Sequence, residues 1–239
     1  MALLSAADAE QVRKLFSTMT SDVHLRLYTQ RLNCDTCLEA ERILSELSEQ
    51  SDRLKVEVLN ALTDAGRREA DGVENVPALI VGDGSHGRIR FYGTPSGYEF
   101  STLLTVITDA GTPGDRLEKP ALDFLSSLAE DLLIRVFVTP TCPYCPRAAV
   151  TAARMAAASP RVRAEIIEAN EFPDLSRRFR VQGVPRTVVN DLIYLEGALP
   201  EAAFARGLGL ALPLLAKGEP VDMAALLSKP REEEESAGK

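Results

Sequence analysis

Apolar positions along the chain switch between a period near 3.6 and a period of two, and the order of these switches repeats once. Ser5 reads as an N-cap for an amphipathic helix to about Met19, with Val12, Leu15 and Phe16 on one face. His24 to Tyr28 alternates as a strand, Leu38 to Leu47 returns to helical spacing, and Leu54 to Leu59 predicts a second strand. Thr63 to Ala70 is a short helix, Ala78 to Val81 and Arg88 to Tyr92 form a hairpin across a Gly-rich loop, and Gly97 to Thr108 is a closing helix. Gly111-Thr-Pro-Gly114 then interrupts the pattern.

The same order follows again. A helix is predicted over Pro120 to Ala129, a strand over Leu132 to Val138, an Ala-rich helix to about Ala158, a strand over Val162 to Ile167 and a short helix over Asp174 to Phe179. Thr187 to Val189 and Leu192 to Leu195 pair across Asn190-Asp191, residue types that suit a tight hairpin turn. Past a final helix, Gly218-Glu-Pro220 breaks the chain, Val221 to Leu227 predicts one more short helix, and Ser228 to Lys239, with acidic residues from Glu232 to Glu235, reads as a disordered, solvated tail. The pattern divides the chain into units over 1–114 and 115–217 and a terminal segment over 218–239.

Each unit carries one chemical motif in the same place. Cys34-Asp35-Thr36-Cys37 and Cys142-Pro143-Tyr144-Cys145 are 108 positions apart, and so are Val76-Pro77 and Val184-Pro185. Two CxxC pairs in register with two Val-Pro pairs point to a duplicated unit that kept its dithiol. Gly93 and Gly197 are offset by 104, so the second hairpin is shorter by four residues, lost in the turn where length changes cost little. Each unit reads helix, βαβ, helix, ββα, with a dithiol where the first strand hands over to a helix and a proline before the third strand. That order is the thioredoxin fold, and the class is α/β.

The four cysteines of the chain are all used in these pairs, which argues against a disulfide-stapled secreted fold. The first ten residues carry no basic leader, and no run approaches the roughly 20 apolar residues of a membrane span, so a cytoplasmic protein is expected. A net charge of −8 offers no electrostatic footprint for nucleic acid or for an anionic membrane.

A dithiol exchanges disulfides only through a thiolate, and a free cysteine, titrating near 8.5, is mostly protonated at neutral pH. Amides at a helix start favour the anion, so Cys142 is the expected nucleophile, with Pro143 preparing the helix start and Cys145, one turn further in, as the resolving thiol. Arg147 adds a positive charge nearby. At the first pair, Asp35 sets a negative charge beside Cys34, so Cys34-Cys37 is expected to be the slower or more reducing couple. Tyr144 either meets substrate at an exposed rim or packs on the neighbouring unit. His24 and His86 read as a strand-start and a loop residue.

On Thr139-Pro-Thr-Cys-Pro-Tyr-Cys-Pro146 and Phe91-Tyr-Gly-Thr-Pro-Ser-Gly-Tyr-Glu-Phe100, the chain resembles the two-unit protein disulfide oxidoreductases, also called glutaredoxin-like proteins. The resemblance covers about the first 210 residues. It implies two tandem thioredoxin-fold units sharing a continuous mixed sheet, and two active sites without any cofactor beyond the redox-active disulfides. It also implies cis prolines at Pro77 and Pro185, each lying against its dithiol so that Val76 and Val184 can pair with an extended substrate. Protein disulfides would be the substrates and a flavoprotein of the thioredoxin-reductase type the reductant. Gly197-Ala-Leu-Pro-Glu201 departs from the glutathione-holding stretch of glutaredoxins, so specific glutathione binding is not expected. Tyr28 and Val136 stand where thioredoxins carry a buried acid, which leaves the proton acceptor for the resolving thiol unnamed. Two other classes compete: an electron-donor module for a peroxidase, and a structural zinc protein using all four cysteines. The roughly hundred residues between the pairs, far beyond the spacing of paired zinc knuckles, weigh against zinc.

Overall fold

The computed structural model describes residues 3–82 and 87–228. The acidic run and His86 lie outside the described residues. Among the described residues nine strands form one mixed sheet, and its halves repeat a single pattern. In the first half, β1 (Val23–Thr29) pairs in parallel with β2 (Leu54–Asn60) and antiparallel with β3 (Ala78–Val81), which pairs antiparallel with β4 (Ile89–Tyr92). In the second, β5 (Leu132–Val138) stands in the same relation to β6 (Val162–Glu168) and β7 (Arg186–Val189), and β7 to β8 (Ile193–Glu196). The halves join where β4 pairs in parallel with β6, from Ile89 opposite Ala164 to Tyr92 opposite Ile167. The chain is a pair of tandem thioredoxin-fold units on one continuous sheet.

The helices are α1 (Ala6–Phe16), α2 (Cys37–Ser48), α3 (Ala65–Ala70), α4 (Tyr98–Gly111), α5 (Lys119–Ser126), α6 (Cys145–Ala158), α7 (Pro173–Arg178), α8 (Glu201–Ala211) and α9 (Met223–Ser228). They cover both faces of the sheet. One apolar layer gathers Leu44, Leu103, Ala152 and Leu208 from α2, α4, α6 and α8; the other gathers Tyr28, Phe137, Phe179 and Val188 beside α3 and α7. The alanines of α6 explain how two units pack so closely. Ala149, Ala152, Ala153 and Ala156 are all buried, and their short side chains let α6 lie flat against the sheet and α4.

Local signals placed most elements. Ser5 caps α1 in a capping box with Asp8, satisfying two amides that have no partner within the helix. Asn190 and Asp191 both take positive φ in the β7–β8 turn, a conformation their short polar side chains tolerate. Two details differ from the sequence reading. Helix α1 ends at Phe16, and Leu15 turns outward while Met19 packs beneath α4 at Gly111. Val221 and Asp222 form a short strand, β9, parallel to β8, and α9 begins only at Met223. The edge of β8 leaves ladder groups open, and Val221 N–H closes one of them on Leu192 O at 2.7 Å. Beyond these, β6 is buried along nearly its whole length whereas its counterpart β2 is only partly buried, because β6 lies between β4 and β5 while β2 is the sheet edge among the described residues.

Candidate functional site

Both dithiols emerge at the carboxyl ends of the first strands of their units, β1 and β5, where the chain turns into α2 and α6. In the second unit, Cys142 N–H reaches back to Thr139 O at 3.2 Å and Cys145 N–H to Cys142 O at 3.4 Å, which closes a tight turn ahead of the helix. Helix α6 therefore starts at Cys145, with Tyr144 as N-cap and Pro146 in its first turn. The sequence placed the helix start at Cys142 and Pro143 within it; the three-residue turn puts both ahead of it.

The two sulfurs of this pair sit in different surroundings. Cys142 is 9% exposed and its Sγ donates to the carbonyl of Val184 at 3.5 Å; Cys145 is fully enclosed. Both are free thiols. Burial pushes the Cys145 thiol well up from its ordinary value, and the neighbouring Cys142 thiol adds to the rise. The Val184–Pro185 and Val76–Pro77 bonds are both cis. Pro77 and Pro185 are buried while Val76 and Val184 are half-buried, so each valine faces outward from a fixed proline. Tyr144 is 72% exposed, which removes the alternative that it packs on the neighbouring unit.

Sequence reading missed a carboxyl group. Glu99, in the first turn of α4, belongs to the first unit but lies close enough to the second dithiol for its charge to raise the Cys145 thiol further. Helix α4 is held there by its own start: Tyr98 N–H bonds Pro140 O at 2.9 Å. Gly97, at φ 57°, lies so near the Pro140 carbonyl that a Cβ would stand 2.2 Å from its oxygen. Glu99 is 2% exposed and neither carboxylate oxygen has a hydrogen-bond partner among the described residues. Burial holds its carboxyl at about 7, with the nearby Thr102 hydroxyl, outside hydrogen-bonding geometry, offsetting part of the rise and Glu168 adding to it. In sequence this residue looks like an ordinary acid at a helix start, where it would complement the helix dipole. Only its place in the Phe91–Phe100 segment sets it apart. The positions that thioredoxins use do not serve: Tyr28 donates to Asp71 at 2.7 Å among the side chains of the opposite layer, and Val136 is wholly buried.

The first dithiol is closed as a Cys34–Cys37 disulfide with a Cα separation of 5.5 Å. Cys37 opens α2 and is buried, its Sγ accepting from Gln30 N–H at 3.4 Å, whereas Cys34 is half-buried. Asp35 points to solvent. A different carboxylate comes in from the second unit: Glu171, just beyond β6, accepts from the Thr36 hydroxyl between the two cysteines.

The two pairs are separate. Among the described residues, no group of three or more His, Cys, Asp or Glu side chains could hold a metal ion, so the four cysteines do not form one centre. Among the same residues no helix is long and apolar enough to cross a membrane.

Residues 132–208 match the sequence profile of the thioredoxin domain. A protein disulfide oxidoreductase from Aeropyrum pernix superposes with a TM-score of 0.82 at 26% identity, over 92% of this chain and 96% of that one. The NTD_N/C domain of the alkylhydroperoxide reductase AhpF from Enterococcus faecalis gives 0.79 at 23% identity, over 86% of this chain and 99% of that one. Among curated proteins, the alkyl hydroperoxide reductase AhpF of Escherichia coli (strain K12) is 24% identical over 67% of this chain and 29% of its own length. The Staphylococcus aureus (strain Mu50) protein of that name is 22% identical over 79% of this chain and 34% of its own. The chain thus spans about a third of the curated relatives it matches.

Proposed function

We propose that this chain, a thioredoxin-fold disulfide oxidoreductase with two CxxC pairs, exchanges disulfides with proteins chiefly through Cys142 and Cys145. One observation carries the reading: a near-surface thiol on the Val184 carbonyl is backed by an enclosed thiol and a buried, partnerless carboxyl group. The Cys142 thiolate attacks one sulfur of a substrate disulfide. A Cys142–substrate S–S bond forms, the substrate S–S bond breaks, and one substrate thiolate leaves. Cys145 then passes its proton to Glu99, attacks the Cys142 sulfur and closes the Cys142–Cys145 disulfide, releasing the second substrate thiolate. Glu99 suits the task because a carboxyl titrating near 7 accepts a proton at working pH and gives it up again.

Substrate backbone would pair beside Val184 as Cys142 yields its contact there, with Tyr144 at the rim, and Val76 with Pro77 would play the same part for Cys34-Cys37. The first pair then serves as a second couple that trades electrons with the principal one. A flavoprotein of the thioredoxin-reductase type would return the electrons.

The likeness to the alkyl hydroperoxide reductases favours a second reading, in which the chain passes electrons to a peroxidase rather than to diverse protein disulfides. That changes the partner and leaves the sulfur chemistry intact. Single Cys→Ser variants assayed on a protein disulfide, with both couples' potentials measured, test the proposal. Cys142→Ser is expected to abolish reduction and Cys145→Ser to accumulate a mixed disulfide; full activity in Cys142→Ser overturns the assignment. Peroxide turnover in a reconstituted system, set beside insulin-type disulfide reduction, separates the two readings.

A further inference from the structure

The seam between the units carries a feature that neither unit has alone. The loop after β6 lies against the β4–α4 connection of the first unit, and its carboxylates are held there by a set of specific bonds. Glu171 Oε1 accepts from Thr94 N–H at 2.7 Å and Oε2 from the Thr36 hydroxyl at 2.5 Å. Glu171 N–H in turn donates to Glu168 Oε2 at 2.6 Å, and Asn170 Nδ2 to Glu168 Oε1 at 2.9 Å. Gly93 permits the approach: at φ 95°, a Cβ there would stand 2.7 Å from Glu168 Cβ and 3.2 Å from Glu171 Oε1.

Thr36 occupies the position between Cys34 and Cys37 and is the N-cap of α2, yet its side chain makes no capping bond to that helix. Its hydroxyl is committed to Glu171 instead, and its carbonyl accepts from Thr94 Oγ1 at 3.4 Å. The arrangement is not duplicated. By the repeat of 108, the residue matching Glu171 is Thr63, beside β2, which among the described residues pairs only with β1 and so has no second unit against it.

We infer that Glu171, contributed by the second unit, is a positioning residue for the first dithiol: it fixes Thr36 and so holds the Cys34–Cys37 turn in the closed geometry. The inference rests on the reading of Cys34 and Cys37 as a reversible couple. Removing Glu171 frees the turn, which weakens the preorganisation of the disulfide. It also takes a negative charge from the sulfurs' surroundings, which favours the open, ionisable form. The two effects share a sign, so the disulfide becomes easier to reduce.

The test uses dithiothreitol redox buffers, in which the reagent gives two electrons and two protons. Its two thiols close into the cyclic disulfide as the Cys34–Cys37 S–S bond opens to two thiols. The first couple is read in full-length Cys142→Ser/Cys145→Ser protein and the second in Cys34→Ser/Cys37→Ser protein. Glu171→Ala and Thr36→Val are each expected to lower the equilibrium constant for forming the first disulfide about tenfold, or about 30 mV for two electrons. Glu171→Gln, whose amide oxygen can accept from Thr94 N–H while its NH2 donates to Thr36 Oγ1, should stay within about threefold of the parent. The second couple should not move. The inference is overturned if Glu171→Ala and Thr36→Val leave the first couple within twofold of the parent, if Glu171→Gln falls as far as Glu171→Ala, or if both couples shift together as general loosening would cause. Should Glu171→Ala not fold, Thr36→Val decides alone, since it removes only a hydroxyl. A parent first couple that forms no disulfide at any buffer ratio would instead refute the redox reading of that pair.

Discussion

Replacing Glu99 by Gln removes a buried charge and almost nothing else, which makes its energetic cost measurable. The Glu99 carboxyl titrates at about 7 in the folded chain against an ordinary 4.5, with burial the main cause. Between those two pH values the folded state holds a proton that the unfolded state has lost. Stability therefore falls as pH rises from about 4.5 and levels off above 7. At 1.36 kcal/mol for each pH unit of that interval, the full cost is about 3 kcal/mol. The Gln variant carries no such cost. Urea unfolding under reducing conditions should give nearly equal stabilities for parent and variant at pH 4, with a gap that widens in favour of the variant and reaches about 3 kcal/mol by pH 8. A gap that stays constant with pH, or one that favours the parent at pH 8, would refute the claim that this carboxyl is buried without a partner.

Function should move the opposite way, because Glu99→Gln loses the proton acceptor. Release of a trapped mixed disulfide is expected to slow about a hundredfold in stopped-flow mixing, and the inflection near pH 7 in the parent's rate should vanish. Gly93→Ala sets a methyl group against Glu168 Cβ at a positive φ, so thermal or chemical denaturation should show a loss of about 1–3 kcal/mol. Leu103→Ala, at a fully buried position on α4, should cost about 2–5 kcal/mol by the same measurement while leaving both redox potentials unchanged. Tyr144→Ala should leave stability within about 0.5 kcal/mol and raise KM for a protein disulfide, since that ring is mostly solvent-exposed.

Much of this protein was written in local patterns. The repeat of CxxC and Val-Pro, the strand and helix periods around Leu27, Leu44, Phe137 and Ala152, the Ser5 cap and the Asn190-Asp191 turn are each decided by residues a few positions apart. A sequence displays such features directly. The elements around both dithiols and the tandem fold followed from them. Whether a residue faced water did not always follow: Leu15 fits the apolar face of α1 by spacing, yet it turns outward while Val12 and Phe16 pack inward.

Tertiary structure decided what crosses the seam. Glu99 reads as a solvated acid at a helix start until α4 is laid against the Pro140 carbonyl beside Cys145. Glu171 reads as a loop residue until β6 joins β4 and carries it to Thr36. The dithiols and their prolines therefore belong to the sequence, whereas the carboxyl groups that reach them come from the opposite unit. The physical reason is that charge and desolvation act through space over a few ångströms. The contacts that set them join residues 46 and 135 positions apart in the chain, and no local period records them.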